Sequence, residues 1–205
     1  GPDGTVLQPS EALYKKNVLV MRGRFRPPTL VNMDMLSMGI RQFTLDPEVD
    51  QEKVLTLCEL TLRDLSADGK IDEVDFLHRA EILCSLGQTV LISNYVEYHR
   101  LADYLIRHTK GRKIGLVMGI YALQSVFQES QYENLKGGIL ESFASLFGSK
   151  TKLYIYPSLK REGGGLFTLP DLESVLDPKL IGLFRFLMEN RKLETMDEFR
   201  EDHLH

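Results

Sequence analysis

The sequence predicts an α/β fold: a doubly wound, mostly parallel, Rossmann-like sheet of about five strands with a C-terminal helical extension. Short apolar runs alternate along the chain with longer runs whose apolar residues follow the helical period. The short runs are almost continuously apolar, as strands covered on both faces of a sheet must be. Single helices between strands require crossover connections, and crossovers produce parallel pairing.

Five segments have the composition of buried strands. The first, at residues 17–21, is apolar after Asn17. The second, at residues 54–62, contains enough leucine to be compatible with a helix as well. The other three strands are expected at residues 89–92, 113–118 and 152–156.

Helical periodicity fills most of the chain between these strands. In the first helix, Met33, Leu36, Ile40 and Phe43 follow each other at intervals of three or four residues. Gly87 ends the second helix. Helices are expected at residues 30–43, 72–86, 96–108, 121–128, 139–147, 178–190 and 196–201.

The pattern divides the chain into three parts. Residues 1–16 are expected to be a leader, because Gly1 and Pro2 resemble the remnant of a protease-cleaved tag. Residues 17–157 are expected to form the α/β domain, and residues 158–205 a loop and helices packed on that domain. We also expect the chain to be a fragment of a longer protein.

Composition argues against several classes of protein. Of the 205 residues, 43% are hydrophobic and 26% charged, as in soluble globular domains. The net charge of −4 argues against nonspecific binding of nucleic acid, and no apolar run has the length of a membrane span. Cys58 and Cys84 lie among apolar residues without redox or zinc spacing, so we expect two reduced, buried thiols in a cytoplasmic protein. The sequence is also compatible with a homodimer.

In a doubly wound sheet, ligands bind beyond the carboxyl ends of the strands. The site is therefore expected in four segments, at residues 22–28, 63–64, 93–95 and 118–120. The first of them carries Arg22, Arg24 and Arg26, and guanidinium groups match phosphate oxygens two at a time. The amide groups at the start of the next helix favour an anion as well. The alternative is a solvated loop whose arginines pair with surface carboxylates.

The same loop resembles the first motif of nucleotidyltransferases of the nicotinate or nicotinamide mononucleotide adenylyltransferase type. Gly23, Phe25, Pro27 and Thr29 match that motif, and Asn32 stands where the family has a phosphate-binding histidine. The resemblance implies ATP and a mononucleotide as substrates, with Mg²⁺ accompanying the nucleotide. Thr29 and Asn32 would then donate to phosphate oxygens, and Gly23 would allow the ligand to approach the backbone closely.

A broader resemblance covers most of the chain. Residues 20–27, 91–95, 137–141 and 153–157 are similar to a bacterial family of undefined function. Its members carry the label nicotinate-nucleotide adenylyltransferase or TonB-dependent receptor. The receptor label does not fit, because such receptors are closed outer-membrane β-barrels and this sequence predicts an α/β fold.

Residues 64–75 match the spacing of a calcium-binding loop. Gly69 occupies the sixth position, where that loop turns sharply. The candidate ligands are Asp64, Ser66, Asp68 and Asp75. The alternative is a polar turn followed by a helix that Asp72 caps.

Three further features have a structural and a functional interpretation. Ser93 and Asn94 can contact a ligand beside Gly119 at the strand ends, or Asn94 can form a capping box with Glu97. The glycines at 137–138 form a tight turn or a phosphate cradle. The basic, glycine-rich residues 160–165 form a mobile surface loop or close over an anionic ligand.

The histidines do not form a recognisable catalytic arrangement in the sequence. We expect surface or helix-capping roles for His78, His99 and His108.

The sequence therefore favours binding of a phosphorylated, nucleotide-like metabolite at the strand ends, with nucleotidyl transfer as the reaction if the protein is an enzyme. No catalytic residue is assigned. The alternatives are a noncatalytic ligand-sensing or assembly domain of a longer protein, and a module that binds Ca²⁺ at residues 64–75.

Overall fold

A parallel sheet of six strands is the centre of the fold. The computed structural model describes residues 1–62, 73–148, 150–196, 198–199 and 202. The strands are β1 (Asn17–Arg22), β2 (Val54–Thr61), β3 (Thr89–Ser93), β4 (Ile114–Gly119), β5 (Thr151–Tyr156), β6 (Ser158–Leu159), β7 (Leu166–Phe167) and β8 (Leu193–Thr195). The sheet has the order β3-β2-β1-β4-β5-β8, and all of its neighbouring strands are parallel. Strands β6 and β7 form a separate antiparallel hairpin.

Helices cover both faces of this sheet. They are α1 (Pro9–Ala12), α2 (Leu30–Leu45), α3 (Glu73–Ser85), α4 (Tyr98–Thr109), α5 (Ile120–Val126), α6 (Gly138–Leu146) and α7 (Ile181–Glu189). Short 3₁₀ turns occur at Gln51–Lys53, Glu129–Tyr132, Pro170–Val175 and Pro178–Leu180. In the part of the chain that the structure describes, none of the helices has the length and apolarity needed to cross a bilayer.

The side chains of β1 alternate between two apolar cores. Val18 and Val20 belong to the larger core, which the helices from α4 to α7 complete. Leu19 and Met21 belong to the smaller core, beneath α2 and α3. Because successive residues of a strand face opposite sides of the sheet, a strand buried on both faces must be apolar throughout. This requirement explains why the apolar runs predict the strands so well.

Helix α2 lies very close to the sheet. A Cβ atom added at Gly39 would stand 2.5 Å from Val117 Cγ2 of β4, so only glycine fits at this contact. The approach fixes the position of α2 relative to β1 and β4. The N-terminus of α2 is therefore held at the carboxyl end of the sheet.

The fold class is confirmed, with one strand more than expected. Residues 193–195 of the C-terminal extension pair in parallel with β5 and add a sixth strand to the sheet. The helix expected from residue 196 is wrong at its start, because the Met196 amide donates to the Ile155 carbonyl and its side chain is buried in the smaller core. Residues 197, 200 and 201 lie outside the described part of the chain.

The two thiols differ in their environment. Cys58 is fully buried in β2, and burial raises the pKa of its thiol to about 12, so it stays protonated and unreactive. Cys84, on α3, is only half-buried, which corrects the expectation of two buried thiols. Both cysteines are free.

Candidate functional site

The strand order reverses at β1 and β4. From β1 the chain continues through β2 to β3 on one side, and then crosses to β4 on the other side of β1. The loops that follow β1 and β4 therefore diverge at the carboxyl edge, and a crevice between such loops is where doubly wound folds bind ligands. In this sheet the corresponding position, which we call the crevice, is between the loop that begins at Gly23 and the β4–α5 junction at Gly119.

Arg22 is held inside the protein rather than extended towards the crevice. Its Nε donates to Glu59 Oε2 at 2.8 Å and its Nη2 to Glu59 Oε1 at 2.9 Å. Nη1 and Nη2 also donate to the carbonyls of Val96 and Tyr95, at 2.6 and 2.7 Å. The guanidinium stacks 4.5 Å from the centre of the Tyr98 ring. To bind phosphate as predicted, Arg22 would have to give up these internal contacts.

Glu59 is the acidic centre of this internal site. The residue is fully buried, and Ser93 Oγ donates to its Oε1. Ser93 Oγ in turn accepts a hydrogen bond from the Tyr95 amide at 3.3 Å. The ends of β1, β2 and β3 are therefore joined through Arg22, Glu59 and Ser93. Ser93, a predicted ligand contact, serves this internal connection.

The loop after β1 is anchored by Phe25. This residue has a φ of 45°, and its side chain is buried in the smaller core. A Cβ atom on Gly23 would lie 2.9 Å from Cζ of the Phe25 ring, so the ring needs a glycine there. Arg24 and Arg26, on either side of the buried ring, are exposed at the carboxyl edge. The peptide bond between Arg26 and Pro27 is cis.

Helix α3 contacts the loop after β1, which carries Arg24 and Arg26. Arg79 is buried, and its Nη1 donates to the Arg24 carbonyl at 3.1 Å. Arg79 Nη2 donates to Asp75 Oδ2, and this hydrogen bond is the main reason that the pKa of Asp75 lies below its usual value. Arg26 Nε lies 3.6 Å from Asp75 Oδ1. The loop conformation is therefore tied to α3 through Asp75 and Arg79.

These contacts bear on the predicted calcium loop. Asp75, its twelfth position, pairs with two guanidinium groups instead of standing free for a cation. Asp64, Ser66 and Asp68 lie outside the described residues. Among the residues that are described, no cluster of three or more His, Cys, Asp or Glu side chains could hold a metal ion.

Thr29 and Asn32 form a capping box at the start of α2. The Asn32 amide donates to Thr29 Oγ1 at 3.2 Å, and the Thr29 amide donates to Asn32 Oδ1 at 2.9 Å. The Thr29 hydroxyl also donates to Asn32 Oδ1 at 3.0 Å. The Thr29 hydroxyl proton, expected to contact phosphate, is thus used within the cap.

Gly119 and Asn94 lie at different places on the carboxyl edge. Gly119 ends β4, and a Cβ atom added there would meet nothing within 4 Å among the described residues. Asn94 follows β3 at the border of the sheet and is exposed. The expected capping box of Asn94 and Glu97 is wrong, because α4 begins at Tyr98 and Glu97 is its N-cap without a side-chain bond.

A fourth cation reaches the same edge from the hairpin of β6 and β7. Tyr121 Oη, at the start of α5, donates to the Leu159 carbonyl and accepts from the Arg161 amide, each at 3.0 Å. The Arg161 guanidinium lies 4.3 Å from the centre of the Tyr121 ring. Through these hydrogen bonds, Tyr121 holds the glycine-rich loop at residues 160–165 close to Gly119. Residues 163–165 all have positive φ, which three glycines in succession permit.

The glycines before α6 form a turn. The Gly137 amide donates to Glu141 Oε2 at 2.8 Å, so this amide is already bonded within the protein. Gly138 begins the helix with a φ of 54°. Gly137 and Gly138 therefore form a tight turn, which is the structural interpretation of the two glycines.

The expectation of surface or capping roles for the histidines is wrong for His99. Its side chain is buried, and its Nδ1 lies 3.2 Å from Ser142 Oγ. Burial lowers the pKa of His99, so the ring is neutral at pH 7. His108 Nδ1 lies 2.9 Å from the Tyr104 carbonyl in the last turn of α4, where a capping role was expected.

Sequence reasoning missed Glu59 and Tyr121. A charged residue in the apolar run of β2 was the available signal for Glu59, since a buried carboxylate needs a cationic partner. Tyr121 gave no signal, because its function depends on the fold of the distant hairpin.

Comparison of the chain with protein-family models finds no match, and comparison with curated proteins finds none.

Proposed function

We propose that the protein binds a phosphorylated, nucleotide-like ligand in the crevice between the loops that follow β1 and β4. The observation that supports the proposal best is the reversal of strand order at these two strands, since doubly wound sheets bind ligands at this point. The exposed arginines beside it make an anionic ligand the best match. The two free thiols agree with a location in the reducing cytoplasm.

Each side of the crevice has a distinct role in this proposal. Arg24 binds phosphate oxygens from the β1 loop, and Arg161 approaches from the hairpin. Gly119 allows the ligand to come close to the backbone, because no side chain fills the space above it. The N-terminus of α2 adds a positive electrostatic potential. Arg22, Glu59 and Ser93 form the rigid support beneath these groups.

Binding is better supported than nucleotidyl transfer. Thr29 and Asn32 cap α2, and Asp34 Oδ2 accepts a hydrogen bond from Tyr156 Oη at 2.5 Å. None of these groups is arranged as a general acid or base. Mg²⁺ enters the proposal only as the partner of the nucleotide phosphates, which it neutralises. A homodimer and a second small-molecule substrate are not required.

Thermal unfolding tests the proposal, with Mg²⁺–ATP and nicotinic acid mononucleotide as separate probes. A ligand at about 100 times its Kd adds about 2.7 kcal/mol to the free energy of unfolding, which raises the Tm of a chain of this length by roughly 5–10 °C. Arg24→Ala is expected to reduce the rise, whereas Arg185→Ala, in an exposed ion pair on α7, is not. No rise with either probe at millimolar concentration would contradict the proposal. Release of pyrophosphate when the protein is incubated with Mg²⁺–ATP and nicotinic acid mononucleotide together would show that transfer also occurs.

A further inference from the structure

A second cationic cavity lies at the opposite edge of the sheet. It has a volume of about 360 Å³ and opens where β4, β5 and β8 begin. Its walls include Lys113, Thr151, Lys152, Arg191 and Lys192. The turn after α2 closes one side with Asp46 and Glu48. This amino-edge cavity is independent of the crevice at the carboxyl edge, because the length of the strands separates them.

Some of the lysines here are neutralised by carboxylates. Lys113 Nζ lies 3.0 Å from Glu48 Oε1, and Lys152 Nζ lies 3.1 Å from Glu194 Oε2 and 3.4 Å from Asp46 Oδ2. Lys150, beside the cavity, lies 3.2 Å from Glu48 Oε2.

Arg191 and Lys192 leave a surplus of positive charge. Within the described part of the chain, neither has a carboxylate oxygen within 4.0 Å. Among the residues that the structure describes, Lys192 Nζ donates to the Gly148 carbonyl alone, at 3.1 Å. Four cations and three carboxylates line the cavity, an excess of one charge, and Lys150 lies beside it, paired with Glu48. Burial lowers the pKa of Lys192, and the nearby Lys113 lowers it further.

Two buried polar atoms next to the cations also lack partners. Thr151 is 2% exposed, and its Oγ1 makes no hydrogen bond to any residue that the structure describes. The same holds for Gln42 Oε1, at the end of α2. An unbonded hydroxyl can donate to a phosphate oxygen, whereas an unbonded amide oxygen needs a donor such as a ligand hydroxyl. Unpaired buried polar atoms are rare in folded proteins, and both of these belong to residues that line the cavity.

We propose that the amino-edge cavity binds a small phosphate monoester that also carries hydroxyl groups. Arg191 and Lys192, which have no carboxylate partner among the described residues, bind the phosphate group. The Thr151 hydroxyl donates to a phosphate oxygen, and Gln42 Oε1 accepts from a ligand hydroxyl. The cavity volume falls in the range of small-molecule sites.

Calorimetric titration with glycerol 3-phosphate tests this site. Arg191→Asn removes the guanidinium and suits the residue's φ of 53°, so the variant should fold. Thr151→Val removes the hydroxyl but keeps the shape of the side chain. We expect Arg191→Asn to weaken binding roughly tenfold, the loss typical of a charge-assisted hydrogen bond. Thr151→Val should weaken binding without lowering the Tm, because the hydroxyl has no partner to lose.

Arg185→Asn, outside the cavity, is the control and should bind the probe like the parent. The proposal is overturned if the parent does not bind millimolar glycerol 3-phosphate, or if Arg191→Asn and Thr151→Val bind it as tightly as the parent. It is also overturned if Arg24→Ala alone abolishes binding, because the probe would then occupy the carboxyl edge. Binding that survives Arg24→Ala and is weakened by Arg191→Asn supports it.

Discussion

Arg22 and Glu59 are joined by two parallel hydrogen bonds, of 2.8 and 2.9 Å, where β1 and β2 end. The Glu59 side chain is completely buried and the Arg22 side chain is 10% exposed. Such a pair is stable only if every polar atom finds a partner, and here the carbonyls of Tyr95 and Val96 and the Ser93 hydroxyl complete the set. The pair therefore joins the carboxyl ends of β1 and β2 to the segment that follows β3.

Glu59→Leu is expected to lower the free energy of unfolding by about 3–5 kcal/mol, because it leaves a buried guanidinium unpaired. Urea unfolding measures the change. The double variant Arg22→Met/Glu59→Leu should be more stable than Glu59→Leu alone, since it leaves no unpaired charge. Glu173→Gln, in an exposed pair with Arg185, should cost no more than about 1 kcal/mol. A Glu59→Leu variant as stable as Glu173→Gln would contradict this account.

Gly23→Ala is expected to destabilise the fold by about 1–3 kcal/mol, because the new methyl group overlaps the buried Phe25 ring. Gly119→Ala is the matched control, since its methyl group enters open space. Its effect should stay below about 1 kcal/mol, since the only loss is that alanine is a poorer N-cap for α5 than glycine. Chemical denaturation of both variants checks the difference, and equal effects would show that Phe25 does not anchor the loop.

Thr29→Ala should cost about 1 kcal/mol, the usual loss when an N-cap side chain is removed. Thr29→Ser keeps the hydroxyl that accepts from the Asn32 amide, so it should retain most of the stability. Thermal unfolding of the two variants without ligand measures the effect of the cap alone. A Thr29→Ala variant with the parent Tm would mean that the capping box does not stabilise α2.

Asp75 should make the stability depend on acid pH. Because the hydrogen bond from Arg79 lowers its pKa in the folded protein, its contribution is present above the unfolded pKa of about 3.9 and is lost as the pH falls through the folded pKa. The unfolding free energy of the parent should therefore fall more steeply below about pH 4 than that of Asp75→Asn. Urea unfolding at a series of acid pH values compares the slopes. Parallel curves would contradict the assigned pairing.

The central strands could be predicted from the sequence because burial on both faces demands continuous apolar runs. Strand β8 could not, since three residues are too short to show a period and its pairing depends on β5. The start of α4 also differs from the expectation, since the helix begins at Tyr98 and not at residue 96. Asn94 has the chemistry of a cap, but Glu97, still extended, is the N-cap of α4.

The arrangement of the carboxyl edge was predictable from the sequence, but its internal contacts were not. Strand order alone places the diverging loops of β1 and β4 there, and the arginines of the β1 loop are visible in the sequence. The role of Arg22 was not, because Glu59, its partner, lies 37 residues away along the chain. An arginine at the end of a strand can bind a phosphate or a buried carboxylate equally well. The pairing of β1 with β2 places Glu59 beside Arg22, and this pairing is not visible in the sequence.

The affinity of Gly119→Asp for Mg²⁺–ATP, relative to that of Gly119→Asn, tests the carboxyl-edge site most directly. Both side chains are good N-caps for α5 and have nearly the same shape, so the two variants differ mainly in charge. A carboxylate in the crevice should repel the phosphates, and we predict at least roughly tenfold weaker binding for Gly119→Asp by calorimetry. Equal affinities, together with Tm values that show both variants folded, would contradict binding between β1 and β4.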